Sequence, residues 1–250
     1  MRQTIPGILS RHKGKPAVVL GHGPSLNDVK PKLASLAKTH VLLGCNNWFV
    51  FYDVAPHYWV LASPVDSLAL HYGRMEQLKI PVFYADVADV DGAKYANMLK
   101  SEVLAYDERH AGGQDCVHGH RRCCDFRVVG RLTVQEELQK FCQASDKFIG
   151  GYTVTEYMLA FAILMECNPI YLSGLDFDYT RGYASTMSGV PHPVIVDPSW
   201  PRHGGPENLG WTELSQDFTI MVKSAQNRGI EVINLNKSSR LETVPKGDFK

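Results

Sequence analysis

Short, unbroken apolar runs recur along this chain, and each one ends in small or polar residues. The first is Ala17-Val18-Val19-Leu20, followed at once by Gly21-His22-Gly23-Pro24-Ser25-Leu26. It is short and β-branched, and it lacks the polar alternation of a half-exposed strand, so it reads as a strand buried on both faces of a parallel sheet. Similar runs at Val41–Leu43, Tyr58–Leu61 and around 81–85 repeat the pattern. The spacing predicts strands near 17–21, 40–45, 58–62 and 81–85, with Trp48–Tyr52 helical, which makes a βαβαβ series and a doubly wound sheet.

Residues 151–167 carry Val154, Tyr157, Met158, Phe161, Ala162 and Met165 at helical spacing with almost no polar face. Such a helix is central and packs on more than one side. A further strand, Ile170–Ser173, runs directly into Gly174, Leu175, Asp176 and Asp178. The segment TELSQDFTIMVKSAQNRG predicts a helix of about four turns, and 230–235 a last strand. Two stretches break the pattern. Residues 100–130 lose periodic apolar positions to Gly, His, Arg and Cys and read as an inserted loop. Residues 180–210, rich in Gly, Pro, Ser and His, read as a long irregular lid or acceptor loop. The expectation for 1–250 is a single α/β nucleotide-binding domain, Rossmann-like, with a mostly parallel sheet and helices on both faces.

Composition narrows the partners. Twenty-six basic residues balance twenty-six acidic ones, so there is no long-range attraction for nucleic acid or anionic lipid. No run approaches the roughly 20 apolar residues of a membrane span, and no signal-length apolar stretch precedes the first strand. The expected setting is cytoplasmic, without a membrane span, and a homo-oligomer is compatible with this surface chemistry. Six cysteines are too few for a disulfide framework, and Cys45 and Cys167 sit in apolar runs as buried thiols. Cys116, His118, His120, Cys123 and Cys124, with His110 upstream, are zinc-ligand types at spacings that fit no standard knuckle. Arg121 and Arg122 make the same stretch a basic loop able to meet phosphate. The expectation is a peripheral loop and no bound metal.

Candidate chemistry gathers where the apolar runs end. Gly21 and Gly23 let the backbone turn sharply and approach a ligand closely, Pro24 fixes one φ, and Ser25 can cap the following helix. The N–H groups of such a turn suit a phosphate, although the spacing is neither GxGxxG nor GxxxxGK[ST]. Asn46 and Asn47 offer amides suited to a base edge or a sugar hydroxyl, with a helix cap as the alternative for one of them. Asp176, beside Gly174, can hold a sugar, fix an imidazole or bind Mg²⁺ through water. His192 and His203 are general-base candidates in the long loop, and His203, next to Arg202 and two glycines, is the better placed.

Taken together, GKPAVVLGHGPSL, CNNWF, GGYTVTEYMLAFAILMECNPIYLSGLDFDY and AQNRGIEVINLNKSSRL resemble one superfamily. It joins the motility-associated-factor glycosyltransferase-like domain and the 6-hydroxymethylpterin diphosphokinase-like proteins, with the bacterial lipooligosaccharide sialyltransferases as more distant members. The resemblance covers about residues 14–100 and 148–245. It implies that Gly21, Gly23, Pro24 and Ser25 line a nucleotide site with one of Asn46 and Asn47, and that Gly174, Leu175 and Asp176 lie beside the nucleotide; His22 and Ser173, within and next to these two segments, are expected to bind the nucleotide with them. It also implies a CMP-activated sugar used without metal or cofactor, and a histidine base shortly before the last helix.

The chain departs from that pattern in three places. His22 stands where the family has asparagine. Counting back from the last strand, the family's histidine falls near Trp211, so His203 takes its role only if the loop is displaced. GGYTVT at 150–155 is closer to the motility-factor and pterin branch. The expected function is a sialyltransferase-like glycosyltransferase with a CMP-type donor and a glycan or small alcohol acceptor, with His203, His192 and Asp176 catalytic. One alternative is an ATP-dependent diphosphotransferase, with Mg²⁺ at Asp176 and Asp178 and with Arg121, Arg122 or Lys15 meeting phosphate. The other is a non-catalytic nucleotide- or glycan-binding protein.

Overall fold

The computed structural model describes residues 2–3, 7–61, 73–74, 77–85, 103–106, 153–177, 184 and 211–250. In chain order the elements begin with β1 (Arg2–Gln3), β2 (Ala17–Leu20) and α1 (Leu26–Val29). A 3-10 turn at Lys30–Lys32 leads to α2 (Leu33–Thr39), then β3 (Val41–Cys45), α3 (Trp48–Phe51), β4 (Tyr58–Leu61), β5 (Val82–Ala85) and β6 (Val103–Tyr106). The series closes with α4 (Val154–Leu164), β7 (Ile170–Ser173), α5 (Trp211–Asn227) and β8 (Val232–Asn234). The described strands form one eight-stranded sheet in the order β1-β6-β5-β4-β3-β2-β7-β8. Every pairing is parallel, so the α/β architecture expected from the sequence is the one present. Among the described residues no helix is long and apolar enough to cross a membrane.

Alternation along each strand explains why the apolar runs are unbroken. Ala17 and Val19 of β2 enter one core with α4 and α5, while Val18 and Leu20 enter a second core with α1, α2 and α3. Both faces are covered, so neither set of alternating positions tolerates a polar residue. Helix α4 is buried at every position from Glu156 to Leu164 and packs across β2, β3 and β4. Phe161 stacks on Phe83 with ring centroids 4.1 Å apart, and Phe83 stacks on Tyr58 at 5.0 Å, which fixes α4 over the middle of the sheet. The helix starts at a capping box in which Thr153 N–H donates to Glu156 Oε2 at 2.6 Å, three residues inside the sequence estimate.

Two strands at one side of the sheet, β1 and β6, were not legible as such. β6 falls inside the 100–130 stretch read as an inserted loop, and β1 is only two residues long. A four-residue run such as Val103-Leu104-Ala105-Tyr106 carries no period of its own. Its backbone groups find partners because β5 lies on one side and β1 on the other. The remainder of that stretch, including His110, Cys116, His118, His120, Arg121, Arg122, Cys123 and Cys124, lies outside the described residues. So do Asp178, His192, His203 and all of 180–210 except Ala184.

The amino edge of the sheet collects three histidines around Lys15. His57 Nδ1 accepts the Leu42 N–H at 3.1 Å, His12 Nε2 pairs with the Tyr58 hydroxyl at 2.7 Å, and His40 lies edge-on to Phe249. Burial first, and then the Lys15 charge, hold all three below the ordinary 6.5; Arg11 and His57 add to the effect at His12. The unfolded chain therefore takes up protons as pH falls through 6.5 while the folded chain resists, so stability present above that value is lost below it. Thermal melts should show a falling midpoint between about pH 7.5 and 5.5. His57→Asn, whose Oδ1 accepts the same N–H without titrating, should flatten the slope. An unchanged slope in that variant would remove His57 from the effect.

Candidate active site

At the carboxyl edge the turns that follow β2 and β7 cross in backbone contact. Gly21 N–H donates to Ser173 O and Gly23 N–H to Gly174 O, both at 2.8 Å. A Cβ on Gly21 would lie 2.4 Å from Gly174 O, and one on Gly174, where φ is +71°, would lie 2.3 Å from Gly21 O. Glycine is required at both positions because two main chains meet there.

This changes the reading of the turn as a phosphate cradle. The N–H groups of Gly21 and Gly23 are spent on the β7 turn, and Ser25 N–H points at the Asp176 carboxylate, 3.2 Å from each oxygen. Those of Leu26, Asn27 and Asp28 donate to Gly23, Pro24 and Ser25 carbonyls. None of these donors is left for an anion. Ser25 occupies the N-cap of α1 without a side-chain cap bond. Its hydroxyl instead donates to Asp176 Oδ2 at 2.7 Å and accepts the Gly174 N–H at 3.1 Å.

Asp176 is 2% exposed and surrounded by donors. Oδ1 accepts Asn236 Nδ2 at 2.8 Å, Oδ2 accepts the Ser25 hydroxyl, and its main-chain oxygen accepts the Arg240 N–H at 3.2 Å. These bonds offset the cost of burying the carboxyl group and fix its orientation. N–H and O–H groups of Ser25 and Asn236 thus occupy both carboxylate oxygens, on the side where the diphosphotransferase alternative would place Mg²⁺. Among the described residues no group of three or more His, Cys, Asp or Glu is placed to hold a metal. Lys15 lies at the amino edge, where its carbonyl accepts the Asn168 N–H, so it does not serve a phosphate at the opposite edge.

The end of β3 is built differently from expectation as well. Asn46 makes a left-handed turn, φ +36°, with its N–H on Val60 O and its carbonyl accepting Trp59 Nε1 at 2.9 Å. Asn47 holds the N-cap position of α3, yet its side chain makes no cap bond, and its buried Oδ1 has no partner among the described residues. The same holds for the Ser173 hydroxyl, at the end of β7 and 1% exposed.

His22, on the β2 turn between them, is half-buried. Its ring lies 4.5 Å from Phe51, and its Nε2 is 3.7 Å from Cys45 Sγ. Burial pushes the Cys45 thiol up to about 12, so it acts as a weak S–H donor toward His22 or Leu20 O, and not as a nucleophile. Leu175, expected beside a nucleotide, points its side chain into the α4–α5 core.

The structure thus joins Gly21, His22, Gly23, Pro24 and Ser25 to Ser173, Gly174 and Asp176, with Asn46 and Asn47 at the neighbouring strand end. Asn236, Ser239 and Arg240 complete the group and were not singled out in the sequence. Their only local signal is a polar Asn-Lys-Ser-Ser cluster after the last strand, where Asn236 Oδ1 accepts the Ser238 N–H at 2.9 Å as an Asx-turn. Gly174→Ala should cost about 2–4 kcal/mol in urea unfolding, because the left-handed φ and the contact with Gly21 O add. Asp176→Asn should cost about 1–3 kcal/mol, since it turns an amide N–H₂ toward existing donors. A cost near zero for both would show that the crossing does not hold the edge together.

The model of the family described as 6-hydroxymethylpterin diphosphokinase MptE-like matches residues 1–182. Among solved structures, the fold is similar to the monofunctional alpha-2,3-sialyltransferase Cst-I from Campylobacter jejuni, with a TM-score of 0.52 and 16% identity over 95% of this chain and 83% of that one. It is also similar to the sialyltransferase CstII from Campylobacter jejuni in complex with a substrate analogue, CMP-3FNeuAc, with a TM-score of 0.55 and 14% identity over 94% of this chain and 90% of that one. At such identity the shared feature is the fold. No curated protein sequence matches the chain. The matched residues contain β1 to β7 and both turns of the glycine crossing, and the chain belongs to the 6-hydroxymethylpterin diphosphokinase MptE-like family.

Proposed function

We propose that the chain is a transferase that binds the nucleoside part of an activated donor at the carboxyl ends of β3, β2 and β7 and transfers a sugar from a CMP-type donor to a glycan or small alcohol. The observation that carries the reading is the pair of buried oxygens, Asn47 Oδ1 just past β3 and Ser173 Oγ at the end of β7, that have no hydrogen-bond partner among the described residues. A buried acceptor left without a donor costs about 1–3 kcal/mol, and a ligand that donates to it recovers that cost. Amino groups of a base and hydroxyls of a ribose are such donors. A phosphate offers only acceptors, which Asn47 Oδ1 cannot use, and the N–H groups of Gly21, Gly23 and Ser25 are already engaged; the Ser173 hydroxyl can accept from a ribose hydroxyl or donate in turn. The edge therefore suits the nucleoside, with His22 on Phe51 beside it, and leaves the phosphate to other groups. The structural neighbour in complex with CMP-3FNeuAc supports the choice of donor.

In this reading the acceptor oxygen attacks the anomeric carbon as the bond to the CMP phosphate oxygen breaks, and no cofactor is needed. His203 takes the acceptor proton, with His192 its rival in the same stretch. Asp176 keeps the two turns in register and does not touch the reacting atoms. The family description favours a second reading, diphosphate transfer from ATP to an alcohol, in which Mg²⁺ offsets charge on the phosphates. Asp176, ringed by donors, is not disposed to hold that ion.

A thermal-shift panel of CMP, CDP, UDP, GDP, ADP and ATP, each with and without Mg²⁺ or Mn²⁺, separates these readings. CMP should raise the midpoint without metal, and Asn47→Ala and Ser173→Ala should each shrink that shift. A response to ATP only with Mg²⁺ would select diphosphate transfer, and silence across the panel would overturn nucleotide binding. His203→Ala should lower turnover roughly 10²- to 10⁴-fold and leave the CMP shift intact. Loss in the His192 variant alone would move the role there.

A further inference from the structure

The turn after β8 clamps the same edge from the side opposite the glycine turn. Asn236 Nδ2 donates to Asp176 Oδ1 at 2.8 Å, the Ser239 hydroxyl to Leu175 O at 2.7 Å, and Arg240 N–H to Asp176 O at 3.2 Å. Asn236 is itself held. Its N–H donates to Asn234 Oδ1 at 3.0 Å and its own Oδ1 accepts Ser238 N–H at 2.9 Å, so its amide can present only N–H to the carboxylate. Asn234, at the root of this relay, is fully buried. Residues 174–176 thus lie between two turns, and the Asp176 carboxylate is the joint. One oxygen belongs to Asn236, and the other to the Ser25 hydroxyl, which in turn holds Gly174 N–H. Ser173 directly precedes the clamped segment 174–176, and His22 lies on the turn that Ser25 ties to it.

We infer that Asn236 is a positioning residue for the ligand site: by fixing the Asp176 carboxylate it sets the spacing between the 22–25 turn and Ser173, and through it the affinity for the nucleoside. The inference rests on the nucleotide-binding reading for its ligand but on the hydrogen-bond geometry for the coupling. Asn236 touches no ligand group itself. The charged groups near it are Asp176, Lys237 in its ion pair with Asp248, Arg240, and Lys246, whose Nζ donates to Ser239 O at 2.9 Å. The Asn236 amide itself does not titrate. A carboxylate at the same position would face Asp176 at hydrogen-bond distance. Such a pair shares one proton at low pH, which restores an O–H···O⁻ bond in place of N–H···O⁻, and repels once that proton is lost.

The test is Asn236→Asp beside Asn236→Ala, with CMP as the probe and global melting recorded at each pH to confirm folding. Relative to the wild-type protein at the same pH, Asn236→Asp should bind CMP almost normally near pH 5 and at least about tenfold more weakly near pH 8. Asn236→Ala should be weaker at both. A role in stability alone would lower the melting midpoint of the alanine variant without moving CMP affinity, and would overturn the inference. So would wild-type affinity in both variants across the range. If the wild-type protein fails to bind CMP, the nucleotide reading falls, and the coupling is then read from amide exchange of residues 21–25. Faster exchange than wild type in Asn236→Asp at high pH but not at low pH supports the clamp, and equal exchange at both overturns it.

Discussion

The contact of Gly21 with Gly174 is the constraint from which the rest of the carboxyl edge follows. β2 and β7 are parallel neighbours in a register that pairs Leu20 with Ser173, so both strands deliver their turns at one height. A Cβ on either glycine would fall within 2.4 Å of the other main chain. From β2 the chain moves through α1 and α2 to β3 on one side, whereas β7 arrives on the other side from α4. This is the switch point at which doubly wound sheets open a crevice. Here the floor of that crevice is closed by the two main chains, and the side-chain oxygens that lack partners among the described residues lie at the end of β7 and just past β3.

Closing the floor this way requires a charge inside. Asp176 is buried, and its desolvation is offset by the Ser25 hydroxyl and N–H and by the Asn236 amide. The carboxylate serves as an organiser of three chain segments that are far apart in sequence. The position is thus consistent with α5 and the β8 turn packing around it: Phe177, the next residue, meets Phe218 of α5 edge-on at 5.8 Å.

Membership of a pterin diphosphokinase-like family and a sialyltransferase-like fold are compatible, because the fold supplies the sheet and the edge atoms supply the chemistry. The distinguishing feature of this chain is which edge groups are consumed and which are left. Its glycine turn is consumed, and the asparagine and serine oxygens are left.

Sequence alone determined the central strands, the all-round apolar helix α4 and the positions where the chain must turn. Burial on both faces of a parallel sheet leaves a local record in composition, as in Ala17–Leu20 and Ile170–Ser173. The glycines were visible too, but as a ligand cradle and not as a crossing. Ser25 looked like a helix cap, Asp176 like a reactive acid, Lys15 like a phosphate binder, and Val103–Tyr106 like part of a loop. Each of those roles is decided by a partner that is remote in the chain: Ser25 and Asp176 are 151 positions apart, and β6 is a strand only because β5 and β1 lie beside it. A local pattern records how much water a residue sees and which φ and ψ it can adopt. Which donor meets which acceptor depends on where the folded chain brings two distant segments together, and that was settled only by the tertiary structure.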